Sequence, residues 1–189
     1  LVGFASSFNA KFLNLFNLLE RFLQRFFGLL DKKSQNLSFF HSQIDLELDA
    51  QGDLGIDYHH TVEDCGICLG KAFLEAMGNK KGISRYGFFL LPMDDALVRV
   101  ALDFSGRSFL NWKVRFPTNS VGTFDLELVR EFFNAFSMHS GATLHVEALD
   151  GFNSHHISEA IFKGMGRAIK MAVLKNKSIK SIPSTKGSL

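Results

Sequence analysis

An α+β fold made of two similar half-domains is what this 189-residue chain predicts, and three observations lead there. The pattern His-His-x-x-Glu occurs twice, as His59, His60 and Glu63 and again as His155, His156 and Glu159, with the copies 96 residues apart. Each copy follows a strand-like run and a Gly-Asp or Asp-Gly turn, and each run follows a histidine, His41 or His139, which are 98 residues apart. Each copy also opens a segment of helical periodicity. Internal similarity at matching spacing points to duplication of a half-domain. The halves fall at about 41–110 and 120–189, after an atypical segment 1–40.

The elements follow in chain order. Phe4, Phe8, Phe12 and Phe16, then Phe22 and Phe26, put aromatic groups on one face of a helix over residues 4–30. That stretch is marginal as a membrane span, because Lys11, Glu20, Arg21 and Arg25 interrupt it. It lacks the short apolar core and small-residue cleavage site of a signal peptide. A helix docked on the domain or on a partner subunit is preferred to one lying on a membrane surface. HSQIDLELDA alternates like a half-buried strand, and TVEDCGICLGKAFLEAMG reads as helix capped by Gly78. RYGFFLL and LVRVALDF read as strands, DLELVREFFNAFSMHS as an amphipathic helix, ATLHVEAL as a strand, and HHISEAIFKGMGRAIKMAVL as the last helix.

Composition narrows the function classes. A net charge of +2, with no nucleic-acid-binding motif, excludes a general affinity for RNA or DNA. Cys65 and Cys68 form a C-x-x-C pair inside an apolar helical run, and no second pair completes a zinc site. Buried, inert thiols are expected, and two cysteines without a disulfide framework suit the reducing cytoplasm.

Imidazole with carboxylate suits a borderline divalent ion such as Mn²⁺, Zn²⁺ or Fe²⁺. On a helix, His59 and Glu63 lie four apart on one face, and His60 and Glu63 lie three apart. Adjacent histidines cannot easily aim at one ion from a single turn. A second ion or a second subunit is therefore implied for the remaining histidine.

DLGIDYHHTVEDCGICLGKAF, KKGISRYG, PMDDALVRVALDFSGR, FNSHHISEAIFK and the terminal PSTKG, in this order, resemble the imidazoleglycerol-phosphate dehydratase family over about residues 41–189. The resemblance implies that family's fold, akin to the second domain of ribosomal protein S5. It implies Mn²⁺-dependent dehydration of a small phosphate substrate in histidine biosynthesis, in a 24-mer of trimers with ions held where subunits meet. Carried over by position, His59, His60, Glu63, His155, His156 and Glu159 are metal ligands, with Glu63 and Glu159 as candidates for proton transfer. His41, Arg85, Arg107, Lys163, Ser184 and Lys186 contact the substrate, the two guanidinium groups suiting a phosphate dianion.

Two departures from the family stand out. Lys33 occupies the place of a histidine ligand, whose second-half counterpart by spacing is Glu131. The family's N-terminal active-site glutamate has no match in residues 1–40. They imply weakened activity. The alternatives are a catalytically dead assembly subunit, or a protein docking to partners or membranes through residues 1–30.

Overall fold

The computed structural model describes Ala50 and residues 57–176, 178–179, 181–187 and 189. The Phe-rich helix, the strand after His41, Lys33 and His41 itself lie outside the described residues. The elements are α1 (His59–Met77), β1 (Tyr86–Met93), β2 (Ala96–Asp103), β3 (Phe109–Lys113), β4 (Ser120–Val121), β5 (Phe124–Asp125), α2 (Glu127–Ser140), β6 (Thr143–Asp150) and α3 (Ser154–Val173).

Helix α1 ends at Gly78, as the sequence predicts, with φ +51° and its N–H on Glu75 O. The main sheet has the order β1-β2-β6-β3, with β2 antiparallel to both β1 and β6 and β3 parallel to β6. Strands from both sides of residues 110–120 share this sheet. β1 and β2 precede that stretch, yet β2 pairs with β6, which follows it. Repeats of a motif can be read along a chain, whereas pairing between distant strands is non-local and leaves no local pattern.

One face of the sheet is packed. Val98, Val100, Leu102, Leu144 and Val146 point inward and are fully or almost fully buried. Helix α3 covers β1 and β2, α2 lies against β3, and α1 runs along α2. Glycines set these distances. A Cβ at Gly87 would sit 1.8 Å from Ala168 O, and one at Gly66 would sit 2.5 Å from Phe132 O. The opposite face carries exposed Tyr86, Phe88, Leu90 and Phe109.

The helices share a polarity that places the site. Gly66 faces Phe132 and Gly70 faces Phe136, so α1 and α2 run in the same direction. Thr118 N–H donates to Ser154 Oγ (3.0 Å) and Leu126 N–H to Asn119 O (2.9 Å), tying the start of α2 to the start of α3. All three helices therefore begin at one end of the sheet. At the other end, Arg85 N–H donates to Ala172 O (2.8 Å) and Phe109 N–H to Ala142 O (3.1 Å).

Candidate functional site: a cationic cleft and two histidine pairs

The cleft lies where the helices end. Arg85, Ser105, Arg107, Ser184, Thr185, Lys186 and Leu189 line a cavity of about 360 Å³. Four residues predicted to bind phosphate, from three separate stretches of sequence, thus meet in one place. They are not equivalent. Arg85 donates from Nε and Nη2 to the Asp103 carboxylate (2.6 and 3.0 Å) and from Nη1 to Pro183 O (3.0 Å). Asp103 pushes the Arg85 pKa upward, so this guanidinium stays charged. Its backbone is left-handed, φ +70°, a strained conformation for a non-glycine residue. Arg85 therefore anchors the tail segment bearing Ser184 and Lys186, while Arg107 is exposed at the mouth of the cleft. Behind the cleft, Lys80 is 3% exposed and donates to Phe104 O at 3.4 Å. Burial lowers its pKa.

The histidine pairs sit at the opposite end. Their rings stand at similar angles in both copies: His59 and His60 centroids are 6.1 Å apart at 79°, His155 and His156 6.2 Å apart at 70°. In each pair the rings diverge, as expected for neighbours on a helix. Helix α3 begins because Asn153 Oδ1 accepts the N–H groups of His155 and His156 (2.9 and 3.3 Å). Within its first turns, His155 Nε2 lies 3.3 Å from Glu159 Oε2, and Lys163 Nζ is 2.7 Å from Glu159 Oε1. His155 and Glu159 are thus at ion-pair distance, and imidazole and carboxylate are both donor types that suit a borderline divalent ion. His156 Nδ1 bonds Asp95 Oδ1 at 2.5 Å, and its Nε2 lies 3.7 Å from Asp94 Oδ2. Asp95 raises the His156 pKa, while the imidazole and two backbone N–H groups hold the Asp95 carboxyl down to about 2.

Among the described residues, no three His, Cys, Asp or Glu side chains converge to hold an ion. The donors have the right chemistry but are presented as half-sites. Glu131 is in the second turn of α2, at the same end, 3.2 Å from Arg130 Nη1. Lys163 lies with Glu159 rather than in the cleft. Sequence reasoning passed over Asp94, Asp95 and Asp103. The signal was the two-residue loop Asp94–Asp95 between two strand runs, which fixes the hairpin register and sets Asp103 opposite Tyr86. The cysteine expectation holds for Cys65 alone: it is buried, and burial pushes its thiol up to about 12. Cys68 is exposed, because on α1 it falls outside the stripe formed by Val62, Cys65, Gly66, Gly70, Phe73 and Met77. No helix among the described residues is long and apolar enough to cross a membrane.

The fold and site define an α+β class: a cleft lined by arginine, lysine and serine side chains at one end of the sheet, and duplicated imidazole–carboxylate motifs at the other. The family model described as imidazoleglycerol-phosphate dehydratase matches residues 28–169, starting upstream of His41. The imidazoleglycerol-phosphate dehydratase of Cereibacter sphaeroides is 59% identical over 79% of this chain and 77% of its own. That of Dinoroseobacter shibae is 57% identical over 86% and 83%. The crystal structure of the Staphylococcus aureus enzyme superposes with a TM-score of 0.70 at 40% identity, covering 82% of this chain and 84% of that one. The Pyrococcus furiosus enzyme, in complex with (S)-C348, gives 0.65 at 32% identity, covering 93% and 88%. The chain belongs to the imidazoleglycerol-phosphate dehydratase family, whose members are lyases.

Proposed function

We propose that the chain dehydrates imidazoleglycerol phosphate to imidazole acetol phosphate in histidine biosynthesis, with Mn²⁺ as cofactor and in a homo-oligomer, in the cytoplasm. One observation carries the substrate: Arg85, Arg107, Ser184 and Lys186 gather in one cleft, whose cationic and hydroxyl groups suit a phosphate dianion. Arg107 and Lys186 supply exposed cations, Ser184 a hydroxyl, and Arg85 fixes the frame. Held by its phosphate, the substrate presents its imidazole and hydroxyl-bearing carbons at a set distance from the clamp.

His59, His60, Glu63, His155, His156 and Glu159 would hold the ion, with Glu131 the remaining carboxylate at that end. Bound there, Mn²⁺ would supply a Lewis acid to the substrate's imidazole. Glu63 and Glu159 would move a proton between carbon and leaving hydroxyl, a role that carboxylate chemistry supports, and Lys163 holds one Glu159 oxygen.

Geometry also supports assembly. Arg85 is tied to Ala172, and His156 is at the start of the same helix; residues 156 and 172 are about 24 Å apart along the axis. A small substrate cannot touch the clamp and the histidines of one chain together, so the site is completed by a second copy. The test is a dehydration assay with imidazoleglycerol phosphate and excess Mn²⁺. Product formed at a rate that falls on chelation is expected. No rate from a folded, Mn²⁺-loaded particle would overturn the reading and leave an assembly subunit.

A further inference from the structure

We propose that Asp95 is the positioning residue for His156, fixing its proton on Nδ1 so that Nε2 is the nitrogen offered to an ion. This rests on the metal reading above and deepens it. The geometry is a three-way clasp. Asp95 Oδ1 meets His156 Nδ1 at 2.5 Å, while Oδ2 accepts the N–H groups of Phe152 and Asn153 at 2.7 and 2.8 Å. The Asp95 side chain is only 8% exposed. An ionised carboxylate only accepts, so the ring nitrogen facing it must donate, and in the neutral ring the lone pair is then on Nε2. A histidine ligand whose other nitrogen is held by a carboxylate keeps both ring orientation and tautomer.

The same carboxylate pins the loop before α3. Asn153, held by Asp95 through its N–H, caps the helix whose first turn carries both histidines. Asp95 thereby connects the tip of the β1–β2 hairpin to the metal-facing turn. In Asp95→Asn, the side-chain oxygen still accepts from the loop, but its NH₂ then faces His156 Nδ1. That nitrogen must become the acceptor, which moves the proton to Nε2 and removes the ligand lone pair.

The experiment is ¹⁵N NMR of the imidazole nitrogens in metal-free protein, at alkaline pH where the ring is neutral, combined with Mn²⁺ equilibrium dialysis. Wild type is expected to show the Nδ1–H tautomer at His156. Asp95→Asn should show Nε2–H and bind Mn²⁺ about 10–100-fold more weakly. A wild type showing Nε2–H overturns the proposal even if the variant fails to fold. So does a folded variant that keeps the wild-type tautomer, or keeps wild-type Mn²⁺ affinity. Wild type with the Nδ1–H tautomer but no Mn²⁺ uptake upholds the positioning and refutes the metal reading instead.

Discussion

Arg85 and Arg107 look alike in sequence, each in a short motif with glycine and serine nearby, but their surroundings separate them. The Arg85 guanidinium is committed to Asp103 and Pro183 O, so its removal would release the tail carrying Ser184 and Lys186. Arg107 is exposed, and among the described residues no carboxylate pairs with its guanidinium. Arg107→Ala should therefore raise KM with little change in unfolding free energy, weakening substrate binding by about 1.5–3 kcal/mol, the range for a charge-assisted contact. Arg85→Ala should lower stability as well as binding. Steady-state kinetics and urea denaturation of both variants separate the roles, and equal stability losses would contradict them. The cysteines divide in the same way. With its thiol pushed up to about 12, Cys65 should resist alkylation in folded protein while Cys68 reacts, giving one adduct by intact mass from the described segment.

Among the elements, helices were the legible part. The apolar periodicities of DLELVREFF and HHISEAIFK, and the Gly78 stop, depend on residues three or four apart, and they mark α1 to α3 within a few positions. The short strands β3, β4 and β5 went unread, because FLNWK has little alternation and its partner β6 lies beyond an intervening helix. Gly87 shows a different limit. In SRYG it reads as part of a binding motif, yet the structure uses it to let α3 press on β1. Gly87→Ala would drive a Cβ into Ala168 O, and should cost about 1–3 kcal/mol or more in chemical denaturation. The clasp at the start of α3 adds a pH dependence in metal-free protein. Asp95 is depressed from 3.8 to about 2, so its contribution is present above 3.8 and lost as pH falls toward 2. His156 is raised above 6.5, so its contribution is complete below 6.5 and lost as pH rises through the folded value. Protection of the Phe152 and Asn153 amides, taken relative to their intrinsic exchange rates at each pH, should be highest between those limits, and Asp95→Asn should flatten the profile.

At the scale of the whole molecule, the two histidine pairs and the residues that gather in the cationic cleft were readable as motifs, but the separation of the two groups was not. Spacing along a chain says nothing of which end of a helix a residue occupies. Only with α3 laid antiparallel to β1 does it follow that His156 meets Asp95 at the hairpin tip while Ala172 meets Arg85 at the far end. If, as proposed, the site is assembled from two copies, a sharp prediction follows for mixed particles. His156→Ala should lack a metal ligand and Arg107→Ala a phosphate contact, so each homogeneous particle should be impaired. Co-assembled at equal amounts, random mixing would give about a quarter of the sites an intact clamp from one chain and an intact histidine pair from another. Activity of the mixed particle should then rise well above the mean of the two parents, up to roughly a quarter of wild type. If clamp and histidines came from the same chain, no site in the mixture would be intact, and the mixed particle would show only the parental average.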